Sequence, residues 1–229
     1  MNESAATLRF ERKFVPPELG LEDVLARLRR HPALFREVYP PRAINNLYWD
    51  SPELRNYHEH VQGCAHRLKL RLRWYGPLRG EVTRPVFECK FKRGQVSGKL
   101  ARPLPGFAHN GSLPHARLRA ALETADLPGL LRERLHGARP VLVNRYRRRY
   151  FASADGRLRL TLDTDLEFFD ARHPDGLLAP VAVVAPRFIL ELKYPPEHAE
   201  AAAAAAGELP FRLVRCSKYV LGVEHLPAV

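Results

Sequence analysis

From Arg67 to Gly76 the chain reads Arg-Leu-Lys-Leu-Arg-Leu-Arg-Trp-Tyr-Gly, alternating basic and apolar residues until Trp74. Successive side chains of a β-strand point to opposite faces. The segment therefore predicts a strand with Arg67, Lys69, Arg71 and Arg73 on one face and Leu68, Leu70, Leu72 and Trp74 on the other. Taken alone, this describes a half-buried strand with a solvated basic face. The same sorting recurs, however, and with carboxylates mixed in. Thr7 to Val15 puts Arg9, Glu11 and Lys13 opposite Leu8, Phe10 and Phe14, and Pro85 to Arg93 puts Val86, Glu88, Lys90 and Lys92 opposite Phe87, Cys89 and Phe91. Arg157 to Phe169 sets Arg157, Arg159, Thr161, Asp163 and Asp165 against Leu158, Leu160, Leu162, Thr164 and Leu166. Arg187 to Tyr194 sets Arg187, Ile189, Glu191 and Lys193 against Phe188, Leu190, Leu192 and Tyr194. Pro140 to Phe151 is a further strand, but its run from Asn144 to Tyr150 carries bases on both faces, which leaves open which arginines turn inward.

Helical spacing is scarcer. Leu21, Val24, Leu25 and Leu28 predict an amphipathic helix over Gly20 to Arg30, with Arg27, Arg29 and Arg30 outside. His115 to Leu135 is mainly helical with an interruption at Pro128-Gly129, and the alanine run of Glu197 to Gly207 is a helix by propensity. Ala43 to Asp50 reads as a strand ended by the Ser51-Pro52 turn, with Arg55 to Val61 as its companion strand. Gly76 to Arg84 reads as a polar loop, Gly94 to Gly106 as a loop carrying Lys99, and Asp155-Gly156 as a hairpin turn. Phe211 to Val223 holds the last element, with Arg215, Ser217 and Lys218 near its centre. There is neither an internal repeat nor a convincing linker, so residues 1–229 are expected to form a single domain with its core at about 8–222.

Strands with one apolar and one charged face, and few helices, suggest an α+β fold. If the apolar faces pack outward against the helices, the charged faces meet inside a closed β-barrel, which also removes exposed sheet edges. The inverse barrel, apolar inside and charged outside, satisfies the same periodicity. A basic lumen needs a dense anion to offset its self-repulsion, and interleaved Glu and Asp beside phosphate need a divalent cation between them.

Composition sharpens the partner. The 37 Lys and Arg against 25 Asp and Glu leave a net charge of +12, with 45% hydrophobic residues. That excess asks for an anionic partner: nucleic acid, an acidic membrane face or phosphorylated small molecules. Three scattered cysteines make neither a disulfide framework nor a zinc site and fit a reducing cytoplasm. The amino terminus lacks a secretory pattern, and no apolar run approaches the length of a membrane span.

A set of short motifs occurs in a fixed order: Phe10-Glu11-Arg12-Lys13-Phe14, Leu47-Tyr48-Trp49-Asp50-Ser51, Arg71-Leu72-Arg73-Trp74-Tyr75-Gly76, Glu88-Cys89-Lys90, Tyr146-Arg147-Arg148, Arg159-Leu160-Thr161-Leu162-Asp163-Thr164, Leu190-Glu191-Leu192-Lys193 and Ser217-Lys218-Tyr219. Together they resemble the VTC domain, the catalytic domain of the vacuolar transporter chaperone polyphosphate polymerases within the triphosphate tunnel metalloenzymes, a CYTH-like superfamily. The resemblance implies an eight-stranded antiparallel tunnel with a basic lumen, flanked by helices. It implies that ATP donates its γ-phosphate to a growing inorganic polyphosphate chain with Mn2+ or Mg2+ bound. Carried over by position, Lys13, Arg71, Arg73, Lys90, Lys99, Arg148, Arg159, Arg215 and Lys218 resemble the phosphate-binding residues. Of these, Lys13, Arg71, Arg73, Lys90, Arg148, Arg159 and Lys218, with Glu191, make up the implied catalytic set. Glu191 resembles the metal ligand, with Glu88 beside it and Glu11 and Asp163 as further candidates. Lys69 and Lys193 share the inward faces, while Tyr48, Asp50, Ser217 and Tyr219 support the wall. The family's eukaryotic complexes carry regulatory and membrane-spanning segments that this chain is expected to lack, so regulation and coupling to export are not carried over; a membrane protein stands as a candidate partner.

Three function classes follow: a polyphosphate polymerase, a tripolyphosphatase or nucleoside triphosphatase on the same tunnel, and a non-catalytic binder of polyphosphate or nucleic acid. Aromatic residues are sparse on the basic strands, so specific nucleic-acid binding is not expected.

Overall fold

The computed structural model describes residues 10–16, 19–93 and 96–228, with backbone alone at 92, 93, 96 and 97. In chain order the elements are β1 (Phe10–Val15), α1 (Leu21–Arg30), β2 (Arg36–Asp50), α2 (Arg55–Val61), β3 (His66–Tyr75), β4 (Gly80–Val82), β5 (Val86–Arg93), β6 (Val96–Pro103) and β7 (Phe107–His109). There follow α3 (His115–Thr124), α4 (Gly129–His136), β8 (Arg139–Ala152), β9 (Arg159–Asp170), β10 (Ala179–Val181), β11 (Ile189–Tyr194), α5 (Ala199–Gly207), β12 (Arg212–Leu213) and α6 (Lys218–Val223).

The fold is α+β with antiparallel ladders. Among the described residues the main pairing path is β12-β1-β11-β9-β8-β2-β3-β5-β6, with β10 beside β9 and a separate β4-β7 pair. The path has two ends, β12 and β6, so the closed eight-stranded barrel of the sequence analysis is not part of this pairing. No helix among the described residues is long and apolar enough to cross a membrane.

The chain divides into two compact units, and β2, β8 and β9 each contribute one part to either. The first unit comprises the chain up to Arg42, Tyr146–Leu166 and Val184–Cys216. Its core joins the apolar faces of β1, β9 and β11 (Phe14, Leu160, Leu162, Leu190, Leu192) to α1 and α5 through Val24, Leu25, Leu28, Ala202 and Ala205. Each large aliphatic side chain fully buried there stabilises by about 1.5–3 kcal/mol. α1 is oriented for this: Asp23 accepts from the Gly20 N–H at 3.1 Å, acids occupy the first turn and arginines the last.

The second unit comprises Ala43–Arg145, Glu167–Val183 and the chain from Ser217. Its core sets Leu47, Trp49, Leu70, Leu72, Trp74, Phe87 and Cys89 of β2, β3 and β5 against Leu118, Leu122 and Leu131 of α3 and α4. Here α6 approaches closely: a Cβ at Gly222 would lie 2.5 Å from Leu142 Cδ2 and 2.7 Å from Phe168 Cδ1.

Several expectations are corrected. Arg55–Val61 is a helix, not a strand, because Asp50 accepts from the N–H groups of Asn56 and Tyr57 at 2.8 and 2.9 Å and Ser51 Oγ from Arg55 N at 3.1 Å. The loop expected over 94–106 contains β6, which pairs along β5 and places Lys99 opposite Lys90; residues 94 and 95 lie outside the described residues. β2 begins seven residues earlier than the sequence suggested, running through Pro40-Pro41. Asp165 leaves the inward row: at φ 53° it adopts the left-handed conformation, which Asp tolerates, and its side chain is exposed. Lys218 is not mid-element but opens α6, with Ser217 Oγ accepting from Val220 N. Arg9 and the start of the first expected strand lie outside the described residues.

Candidate functional site

In the first unit, the polar face of the sheet gathers acids and bases by register. Lys13 on β1 pairs across to Glu191 on β11, which pairs across to Thr161 on β9; the next row is Glu11, Lys193 and Arg159. From β8, Arg148 donates through Nε to Asp163 Oδ1 at 2.5 Å and through Nη2 to Asp163 Oδ2 at 2.7 Å. The same Nη2 reaches Glu191 Oε2 at 3.1 Å, where Lys193 Nζ also donates at 2.8 Å. Lys13 Nζ stands 3.1 Å from Glu11 Oε1 and 3.6 Å from Glu191 Oε1, and donates to the Cys216 carbonyl at 2.8 Å.

Arg148, Asp163 and Glu191 are buried, Lys13 and Lys193 are half-buried, and Glu11 is exposed. Burial disfavours the Lys13 ammonium, yet Glu191 and Glu11 outweigh it and hold the pKa above the ordinary lysine value. Burial likewise opposes the Arg148 charge, and Asp163, Tyr146 and Glu191 overcome it, raising its pKa. The Arg148 guanidinium also lies 5.2 Å from the Tyr146 ring centroid.

In the second unit, Glu88 on β5 is the hub. Arg71 Nη2 lies 2.6 Å from Glu88 Oε2 with its Nε at 2.7 Å, Arg73 Nη1 lies 3.7 Å away, and Lys99 Nζ contacts Oε1. Burial alone would raise this carboxyl, but Arg71, Arg73 and Lys99 depress it to about 2. Lys69, Lys90 and Lys99 form one cross-strand row through β3, β5 and β6. Lys69 Nζ donates to Ser217 Oγ at 2.9 Å. Arg73 Nε donates to Asn46 Oδ1 at 3.0 Å, and Asn46 Nδ2 to Asn144 Oδ1 at 2.9 Å. Beside them Asp50 is fully buried, accepting from the Tyr219 hydroxyl as well as from α2, and the Tyr48 and Tyr219 rings stack at 4.9 Å.

The predicted residues thus assemble as two clusters. The first holds Glu11, Lys13, Arg148, Asp163, Glu191 and Lys193, and the second Arg71, Arg73, Glu88 and Lys99, with Lys69 and Lys90 in its adjoining lysine row. Arg159 is exposed opposite Lys193, and Lys218 is buried at the start of α6. Arg215 is exposed beyond β12, outside both clusters. Asn46 and Asn144 escaped the sequence reading, although asparagine is depleted in strand interiors and its presence there is a signal. Thr161 is a second such residue: its Oγ is buried, without a hydrogen-bond partner, directly opposite Glu191.

Among the described residues no group of three His, Cys, Asp or Glu side chains is arranged to hold a metal. Magnesium, however, is commonly held by one or two carboxylates and completed by substrate phosphate and water. Glu11 and Glu191 fit that role, since they already converge on one cation, Lys13 Nζ, beside the unsatisfied Thr161 hydroxyl. Glu88, ion-paired with Arg71, Arg73 and Lys99, is engaged by as many cations as Glu191, which is paired with Lys13, Arg148 and Lys193.

A family model for the VTC domain matches residues 8–226. The chain belongs to the VTC domain family. No curated protein matches it. Among solved structures, this VTC domain is similar to a proposed adenylyl cyclase from Hippeastrum described as having a dominant triphosphatase activity, at 14% identity and TM-score 0.54, with 95% of each chain covered. It is also similar to a proposed adenylate cyclase from Vibrio parahaemolyticus (14%, TM-score 0.52, 94% of this chain and 98% of that one). A protein from Pyrococcus horikoshii matches at 13% and TM-score 0.51 over the same shares. At these identities the VTC domain shares the fold of these proteins.

Proposed function

We propose that this VTC domain is a metal-dependent phosphotransferase that passes the γ-phosphoryl group of ATP to a growing inorganic polyphosphate chain. The observation that carries the reading is Glu191, a buried carboxylate held by Arg148, Lys193 and Lys13 beside the unsatisfied Thr161 hydroxyl. Phosphoryl transfer asks a protein mainly for positioning and charge neutralisation. Lys13 and Lys193 supply fixed donors, and Arg148, locked on Asp163, orients Glu191 through a hydrogen bond. Arg71, Arg73, Lys90 and Lys99 supply further cations for polyphosphate oxygens, with Arg159, Arg215 and Lys218 as lesser members. A divalent ion, Mn2+ or Mg2+, on Glu191 and Glu11 would neutralise triphosphate charge.

Hydrolysis of tripolyphosphate or a nucleoside triphosphate is the second reading, favoured by the triphosphatase activity described for the Hippeastrum neighbour. Water as acceptor needs a general base whose pKa lies near the working pH. Glu88 is held at about 2, too low for a base at neutral pH, and Glu11, Asp163 and Glu191 are each engaged in ion pairs. A phosphate acceptor is already anionic and needs none, which supports transfer over hydrolysis.

The test is incubation of wild type and Glu191→Ala with γ-labelled ATP and manganese, products being resolved on a gel. A ladder of polyphosphate from wild type alone is expected. Label found only as orthophosphate would replace transfer by hydrolysis, and no turnover by wild type would leave a binding module.

A further inference from the structure

The polar face of β8 carries an aromatic group that phosphate chemistry does not use. Phe151 is buried in the first unit's core, so its neighbour Tyr150 points to the opposite face, the one that carries Arg148 two residues earlier. At about 3.3 Å of rise per residue, Tyr150 follows Arg148 by roughly 7 Å along the strand. The Tyr39 ring from the neighbouring strand β2 meets the Tyr150 ring edge-on, centroids 5.9 Å apart at 88°. The Arg42 guanidinium lies 5.5 Å from the Tyr39 centroid and 5.9 Å from that of Tyr150. Tyr39 is 55% exposed, Arg42 is exposed and Tyr150 is half-buried. Neither tyrosine belongs to a buried core cluster, and the Tyr39 ring and the Arg42 guanidinium keep open faces, so core packing alone does not account for the arrangement.

We propose that Tyr39, Tyr150 and Arg42 form a stacking platform for the base of a nucleoside triphosphate whose phosphates reach the Lys13, Glu191 and Lys193 cluster. This deepens the reading of that cluster as a phosphate site and rests on it. Aromatic and guanidinium faces bind any base plane and do not read its edges, so the platform distinguishes nucleotide from inorganic triphosphate without selecting among bases. The span along β8 matches the order of parts in a nucleotide, with phosphates at the charged rows and the base beyond them.

The test is equilibrium binding of ATP, GTP and inorganic tripolyphosphate to the full chain, for wild type, Tyr39→Ala, Tyr150→Ala and Tyr150→Phe. Wild type is expected to bind ATP and GTP with similar affinity. Tyr150→Ala is expected to weaken both about tenfold while tripolyphosphate affinity stays within about twofold, and Tyr150→Phe to retain nucleotide affinity. Tyr39→Ala, at the more exposed position, repeats the measurement with little risk to folding and is expected to weaken nucleotides in the same selective way. Nucleotide affinity unchanged in both alanine variants, or all ligands weakened alike, would overturn the platform while leaving the phosphate site standing. Failure of wild type to bind tripolyphosphate would instead remove the phosphate reading and the platform with it.

Discussion

Asp163 holds Arg148 by two parallel hydrogen bonds, Nε to Oδ1 at 2.5 Å and Nη2 to Oδ2 at 2.7 Å, with Asp163 fully buried. A guanidinium so engaged has one edge left, and that edge meets Glu191. Removing one member of a buried pair strands the other, at a cost of about 3–5 kcal/mol. Asp163→Asn is therefore expected to lower the urea midpoint of unfolding by that equivalent. Unfolding within 1 kcal/mol of wild type would mean that Arg148 is solvated without its partner.

Glu88 gives the protein an acid limb. Its folded pKa is depressed from the ordinary 4.5 to about 2, so its stabilisation is complete above about pH 4.5 and is lost as pH falls through about 2. The upper bound is about 3 kcal/mol. Wild type is expected to lose stability over that window, and Glu88→Gln to start lower and show a flatter acid limb. An identical pH slope in the variant, measured by urea unfolding, would assign the limb to other carboxylates.

Tyr219→Phe removes one hydrogen bond to a buried carboxylate and leaves Asp50 with its backbone donors from Ser51, Asn56 and Tyr57. A loss of about 1.5–3 kcal/mol is expected. Asp50→Ala should cost more, because it strands all those donors and uncaps α2. Thermal denaturation of the two variants checks the order.

Gly222→Ala forces a methyl group against Leu142 and Phe168. Overpacking of a filled core costs about 1–3 kcal/mol. Chemical denaturation should show that loss.

The sequence made legible what depends on local alternation. Strands with a sharp apolar and charged division, β3, β5 and β11, fall where their pattern put them, because a one-residue slip would bury Lys69 or expose Leu70. Elements that depend on distant partners were hidden. β6 is a weak strand by composition and is held by its ladder to β5, while α2 owes its start to a carboxylate from the preceding strand. The site followed the same division. Glu191 and Lys13 were legible as charged positions of alternating strands, whereas the inward turn of Arg148, its partner and the exposed turn of Asp165 depend on β8 and β9 geometry. The asparagines that brace Arg73 became visible only through contacts 98 residues apart in the chain.

β2 has a further consequence where it runs through Pro40 and Pro41. Its register with β3 runs from Ile44 to Trp49, and the residues from Arg36 to Arg42 before it are exposed. An exposed strand margin is a template for self-association between molecules. Proline has no N–H to offer, and two in succession, flanked by Arg36 and Arg42, interrupt the donor row that an incoming strand would need. The same residues that hid this part of the strand from pattern reading therefore make it a poor template for an incoming strand.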